Sequence, residues 1–168
     1  DDPPSPTAPG TTTSAALATT RVEAAASTTT TVAPEPACVR VTDFEASAWF
    51  IVNDGVMGGR SDARGGIGES VLTWTGTIVT QGGGFSSIRG AVDGKLAGAA
   101  ELTMRIRTDG RTYELLADDA ASNRVTHYNP IDATGGDWEI VTVPLSGMEP
   151  RIFGNLVTAE PFDPDRAT

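Results

Sequence analysis

The chain has 168 residues with 12 basic and 22 acidic side chains, a formal net charge of −10, one cysteine and one histidine. That length holds one domain of ordinary size. The acidic balance, with no Lys/Arg cluster, argues against nucleic-acid and polybasic membrane binding, and no apolar run approaches the length of a membrane span.

Residues 1–37, opening DDPPSPTAPGTTTSAALATT, are almost entirely Pro, Thr, Ala and Ser, without an aromatic residue or a sustained apolar period. Such a segment buries too little surface to offset its ordering entropy, so it reads as a disordered or extended tether. The folding unit is then 38–168, which carries 11 basic against 18 acidic residues. A Thr/Pro/Ala-rich tether, on a chain that begins without Met, points to an exported protein: secreted, periplasmic or attached to the cell envelope. Cys38, at the join, has no partner for a disulfide and reads as a small half-buried residue starting a strand.

Short alternating segments separated by glycine turns follow, the pattern of an all-β sandwich. ACVRVTDFEA predicts a short first strand with Val39, Val41 and Phe44 as its apolar residues. WFIVNDGVMGGRSDAR begins as a strand, with Trp49 and Val52 for the core. It then places Asn53 and Asp54 before glycines that permit positive φ angles. VLTWTGTIVT sets Leu72, Trp74, Gly76 and Ile78 on one face and Thr73, Thr75 and Thr77 on the other. DGKLAGAAEL allows one helical turn at most.

AELTMRIRTDGRTYELLA predicts a hairpin. Asp109-Gly110 is a favoured type I′ pair, and the register it implies faces Ile106 to Tyr113, Met104 to Leu115 and Leu102 to Ala117. Arg105, Arg107 and Glu114 take the opposite face. DWEIVTVPL alternates Trp138, Ile140 and Thr142 against Glu139, Val141 and Val143, with Pro144 ending the strand or marking an edge. The aromatics Trp74, Tyr113 and Trp138 are expected on core faces. The tail, MEPRIFGNLVTAEPFDPDRAT, shows no closing apolar strand, and the sandwich is expected to lack its last strand.

No catalytic constellation emerges. His127 in RVTHYNP is the only histidine, reads as a structural strand or loop residue, and has no G-x-S-x-G elbow to accompany it. One His and one Cys lack metal-ligand spacing, and no metal or cofactor is expected. ADDAASN, with Asp118, Asp119 and Asn123, offers oxygens to calcium but reads more simply as a solvated acidic loop. QGGGFSSIRG lacks the Lys-Ser/Thr ending of a phosphate loop. Asp54 and Arg89 are candidate partners, pinning two loops together or gripping a polar ligand.

Taken in order, WFIVNDGVMGGRSDA, TWTGTIVTQGGGFSSIRG, LTMRIRTDGRTYEL and DWEIVTVPL resemble the complex I intermediate-associated protein 30 family over about Phe44 to Gly154. The motif positions are Asn53, Asp54, Gly55, Met57, Gly58, Gly59 and Ser61, then Gly83, Gly84, Phe85, Ser87 and Arg89, then Asp109, Gly110, Arg111 and Tyr113. The resemblance implies a galactose-binding-like, jelly-roll β-sandwich without a catalytic role. Mitochondrial members assist assembly of respiratory NADH:ubiquinone oxidoreductase. Members usually finish with a G-x-F-x-L-x-I strand that this chain does not reach.

The expectation is therefore a non-catalytic interaction module that binds a protein partner or another ligand outside the cytoplasm, through loops at Asn53–Ser61 and Gly82–Arg89. A carbohydrate-binding module of the envelope is the first alternative, and a complex I assembly factor, if the chain is not exported, the second. Met57 is expected as an apolar plug beneath the first loop.

Overall fold

Alternating segments bury one face only by pairing edge to edge and stacking that face on something apolar. In the computed structural model, described over residues 37–45, 48–81, 84–121 and 124–168, this yields an all-β, antiparallel fold. The strands are β1 (Trp49–Asn53), β2 (Asp62–Gly68), β3 (Val71–Thr77), β4 (Ser86–Gly90) and β5 (Glu101–Ile106). They continue as β6 (Tyr113–Ala117), β7 (Thr126–Ile131), β8 (Glu139–Pro144), β9 (Glu149–Ile152) and β10 (Asn155–Leu156). Helix is confined to 3₁₀ turns at Asp54–Met57 and Pro164–Arg166 among the described residues. All but one residue of the expected tether, 1–37, lies outside the described residues.

Four antiparallel groups form: β1 with β4, β2 with β3, β5 with β8, and a sheet ordered β10-β9-β7-β6. The described strands and turns all belong to the unit Ala37–Thr168. Its core gathers Leu96, Leu145, Met148, Phe162 and Ala167, with Leu102, Leu115 and Ala117 packed against them. Much of that core comes from turns and the tail rather than from strands. The tail supplies Phe162 and Ala167, and Ala167 bridges to Asp119.

The expected Asp109-Gly110 hairpin does not form. β5 pairs instead with β8, Leu102 to Val143 and Met104 to Val141, while β6 pairs with β7, Leu115 to Asn129. The connection spends its polar groups elsewhere. Asp109 accepts the Arg111 N–H at 3.2 Å and the Tyr113 hydroxyl at 3.0 Å, and Thr108 C=O accepts the Gly136 N–H at 2.9 Å. The faces expected in β5 are right, with Leu102, Met104 and Ile106 half-buried and Thr103 and Arg105 exposed. Alternation selects a face and not a neighbour; the partner is decided by packing. A tight turn of the I′ kind occurs at Glu69-Ser70 instead, where φ is 52° and 58° and β2 runs into β3.

Three further expectations are corrected. Residues 38–43 form no strand, and Val39 and Cys38 are exposed. Trp138 is not a core residue: the buried face of β8 carries Val141 and Val143, so Trp138 and Ile140 face outward. Ile78 and Gly76 leave the buried side of their segment, where Leu72 and Trp74 stay half-buried. β2 itself, DARGGIG, has no apolar alternation to announce it.

Candidate functional site

β1 and β4 run antiparallel with Asn53 facing Ser86, so the two motif-bearing segments leave the sheet side by side. Asn53 takes the extended conformation before a 3₁₀ turn, and its amide bonds both neighbours. Its Oδ1 accepts the Ser86 hydroxyl at 2.7 Å and its Nδ2 donates to Ala63 C=O at 3.3 Å. One side chain thereby joins β1, β4 and β2.

Asp54 opens the turn and is 4% exposed. A buried carboxylate must have donors, and it has two from one residue. Ser61 N–H reaches Oδ1 at 2.8 Å and Ser61 Oγ reaches Oδ2 at 2.6 Å. Ser61 Oγ in turn accepts the Val79 N–H at 3.0 Å. The Asp54 backbone closes the ring: its N–H donates to Phe85 C=O at 3.2 Å and its C=O accepts the Gly59 N–H at 3.0 Å.

Glycine is required twice here. Gly58 ends the 3₁₀ turn at φ 84°, and a Cβ on Gly59 would overlap the Asp54 carboxyl. Gly55 has open space around it. At the crest of the turn Val56 is 75% exposed and Met57 60% exposed. Met57 is therefore not a plug beneath the loop; the carboxylate fills that position.

The expected Asp54–Arg89 pair does not form among the described residues. Arg89 Nε donates to Ser87 Oγ at 3.0 Å, and its charge acts on Tyr128. Burial raises the Tyr128 phenol above its ordinary range, and Arg89 and Arg151 partly offset that rise. Ser87 is buried, Phe85 half-buried, and Gly84 lies against Val79 C=O, while Gly83 is outside the described residues. The third motif stands apart. Arg111 and Tyr113 both bond Asp109, Arg111 Nε at 3.4 Å with the pair largely solvated. The Asp109 carboxyl is held below its ordinary value by the Arg111 backbone N–H first, despite slight desolvation.

An open groove of about 390 Å³ runs beside this site, lined by Trp49, Ile51, Ile88 and Leu72, with Arg64 at its wall. Trp49 Nε1 has no hydrogen-bond partner among the described residues. Trp49 itself meets the Phe44 ring at a tilt, with centroids 5.4 Å apart, and covers Gly90, half-buried rather than central to the core.

Elsewhere, His127 lies fully buried in β7, with Nε2 3.1 Å from Glu160 C=O and its ring 5.5 Å from Phe162. It holds the tail against the sheet. Asp119, also buried, accepts the Ala121 N–H at 2.9 Å; Asn123, its expected companion for calcium, is outside the described residues.

Sequence reasoning missed Ser86 and Val56, and also the outward Trp138 with Arg105 and Arg107 close to its ring. The serine pair in GGGFSSIRG was a usable signal for Ser86, since alternate strand positions face opposite sides. DWEIVTVPL carried none for Trp138, because both of its faces hold apolar residues.

Comparison with curated proteins and with solved structures returns no match. The family model for complex I intermediate-associated protein 30 (CIA30) matches residues 40–168, a span that takes in β1 to β10 and both motif-bearing loops. The chain belongs to the complex I intermediate-associated protein 30 family.

Proposed function

We propose that this chain is a non-catalytic, protein-binding module, presenting the Asn53–Ser61 crest and the adjoining Gly82–Arg89 segment to a partner outside the cytoplasm. The observation that carries the reading is the contrast within one loop. Asp54 and Ser61 are committed to each other and buried, while Val56 and Met57 stand exposed on the turn they hold rigid. A rigid apolar crest binds protein with little ordering cost, and a flexible thioether adapts to the surface it meets. The family's own description is one of association with a complex I intermediate, which is also protein association. The composition of residues 1–37 supports export; a chain retained inside the cell would return the assembly role to first place. A galactose-binding-like jelly roll fits the antiparallel strands and belongs to this proposal.

The test is capture of partners by the full chain and by a Val56→Asp/Met57→Asp variant, run beside a glycan array. A protein captured by the parent and lost by an equally stable variant supports the crest. A glycan hit without a protein partner overturns it.

The carbohydrate reading has one observation in its favour, the outward Trp138, because sugar binding needs an exposed aromatic platform. The Arg105 guanidinium lies 4.6 Å and that of Arg107 5.2 Å from the Trp138 ring centroid, so the ring face is occupied. Protein binding is the better reading.

A further inference from the structure

The outer face of the β5–β8 pair gathers two arginines around one exposed tryptophan. Arg105 sits opposite Ile140 in the register, and Arg107 and Trp138, each two residues away along its segment and just past the last pair Ile106–Glu139, are exposed on the same side. Both guanidiniums contact the Trp138 ring. Ile140 is 74% exposed and Trp138 39%. Like most basic residues of the domain, Arg105 and Arg107 have no described carboxylate within 4.0 Å; what sets them apart is that both lie on one aromatic ring.

Two neighbouring acids are engaged elsewhere. Glu139 accepts bonds from Thr134 and Gly135 on the opposite side of β8, and Asp109 holds Arg111 and Tyr113. A guanidinium carries five N–H donors, more than a contact with one ring uses, so donors remain for a carboxylate. Exposed Trp and Arg are also among the residues enriched at protein interfaces.

We propose that this face, Arg105, Arg107, Trp138 and Ile140, docks an acidic segment of a protein partner. The carboxylates engage the two guanidiniums and an apolar side chain of the segment covers Ile140. The proposal rests on the reading of the domain as a protein-binding module, but it uses a surface other than the Val56–Met57 crest.

The test titrates the full chain with a synthetic peptide of alternating Glu and Leu, following tryptophan fluorescence. Its Gln/Leu counterpart and an oligogalacturonate are run in parallel. The acidic peptide is expected to bind saturably, about tenfold or more tightly than the Gln peptide, and to weaken as salt rises. Arg105→Gln/Arg107→Gln should remove that preference, and Trp138→Phe should remove the fluorescence change while thermal melts stay near the parent. Val56→Asp/Met57→Asp should leave peptide binding unchanged, which separates this face from the crest. No binding of the acidic peptide, equal binding of the Gln peptide, undiminished binding to the arginine variant, or binding of the oligogalacturonate alone overturns the proposal.

Discussion

Ser61 grips the buried carboxylate of Asp54 twice, through its N–H at 2.8 Å and its hydroxyl at 2.6 Å, across seven residues of chain. That pair ties the 3₁₀ turn after β1 to the start of β2, and the Val79 N–H ties the segment after β3 to the same hydroxyl. Asp54→Ala would leave two buried donors without an acceptor, at a cost of about 2–4 kcal/mol. Ser61→Ala should cost about 1–3 kcal/mol, because the Val79 N–H also loses its acceptor. Chemical-denaturation midpoints compare the two; an Asp54→Ala protein as stable as the parent would sink the lock.

Arg89→Ala should be milder, about 1 kcal/mol, since Arg89 donates to the Ser87 hydroxyl and not to a buried carboxylate. A loss as large as that of Asp54→Ala, measured in the same denaturant series, would mean that the two side chains act on one another after all.

The β2–β3 turn is open to improvement. Glu69 and Ser70 hold φ at 52° and 58°, a conformation that favours Asn and Gly. Glu69→Asn/Ser70→Gly keeps the backbone N–H that donates to Glu45 at 2.7 Å, and should raise stability by about 0.5–1 kcal/mol. The same exchange of Asp109-Gly110 for Asn-Gly should give no such gain, because that connection forms no hairpin. A higher melting temperature for the second variant and not the first would reverse the strand pairing described above.

Acid should loosen the loops where Thr108 and Gly136 meet. The Glu139 carboxyl is held below its ordinary 4.5 by the Gly135 and Thr134 backbone N–H groups, and Asp109 below its ordinary 3.8 by that of Arg111. A carboxyl depressed on folding stabilises the fold above its unfolded value, and that contribution is lost as pH falls through the folded one. Stability should therefore decline as pH drops below about 4.5, and Glu139→Gln should flatten the upper part of that decline. Melting temperatures of parent and variant from neutral pH to pH 3 decide it; parallel curves would remove Glu139 from the account.

The fold class was legible in the chain because strand alternation has a period of two residues and needs no distant information. The same local rule placed Leu102, Met104 and Ile106 on one face and Arg105 on the other. The motif residues that meet, Asn53, Asp54, Ser61 and Phe85, were also singled out from sequence, through their turn chemistry and the family resemblance.

What alternation cannot supply is the identity of a strand's neighbour. β5 met β8 rather than β6, and Asp54 met Ser61 rather than Arg89, because both choices depend on which segments packing brings together. The orientation of β8 is the sharpest case. Its segment is apolar on both faces, so burying Val141 and Val143 on Leu145's side, and turning Trp138 and Ile140 outward toward Arg105, was settled by the core and by nothing in DWEIVTVPL itself. The sequence by itself determined an antiparallel fold and a glycine-hinged loop. Only the tertiary structure decided the pairings, since hydrophobic burial is non-directional and is shared among every segment able to reach it.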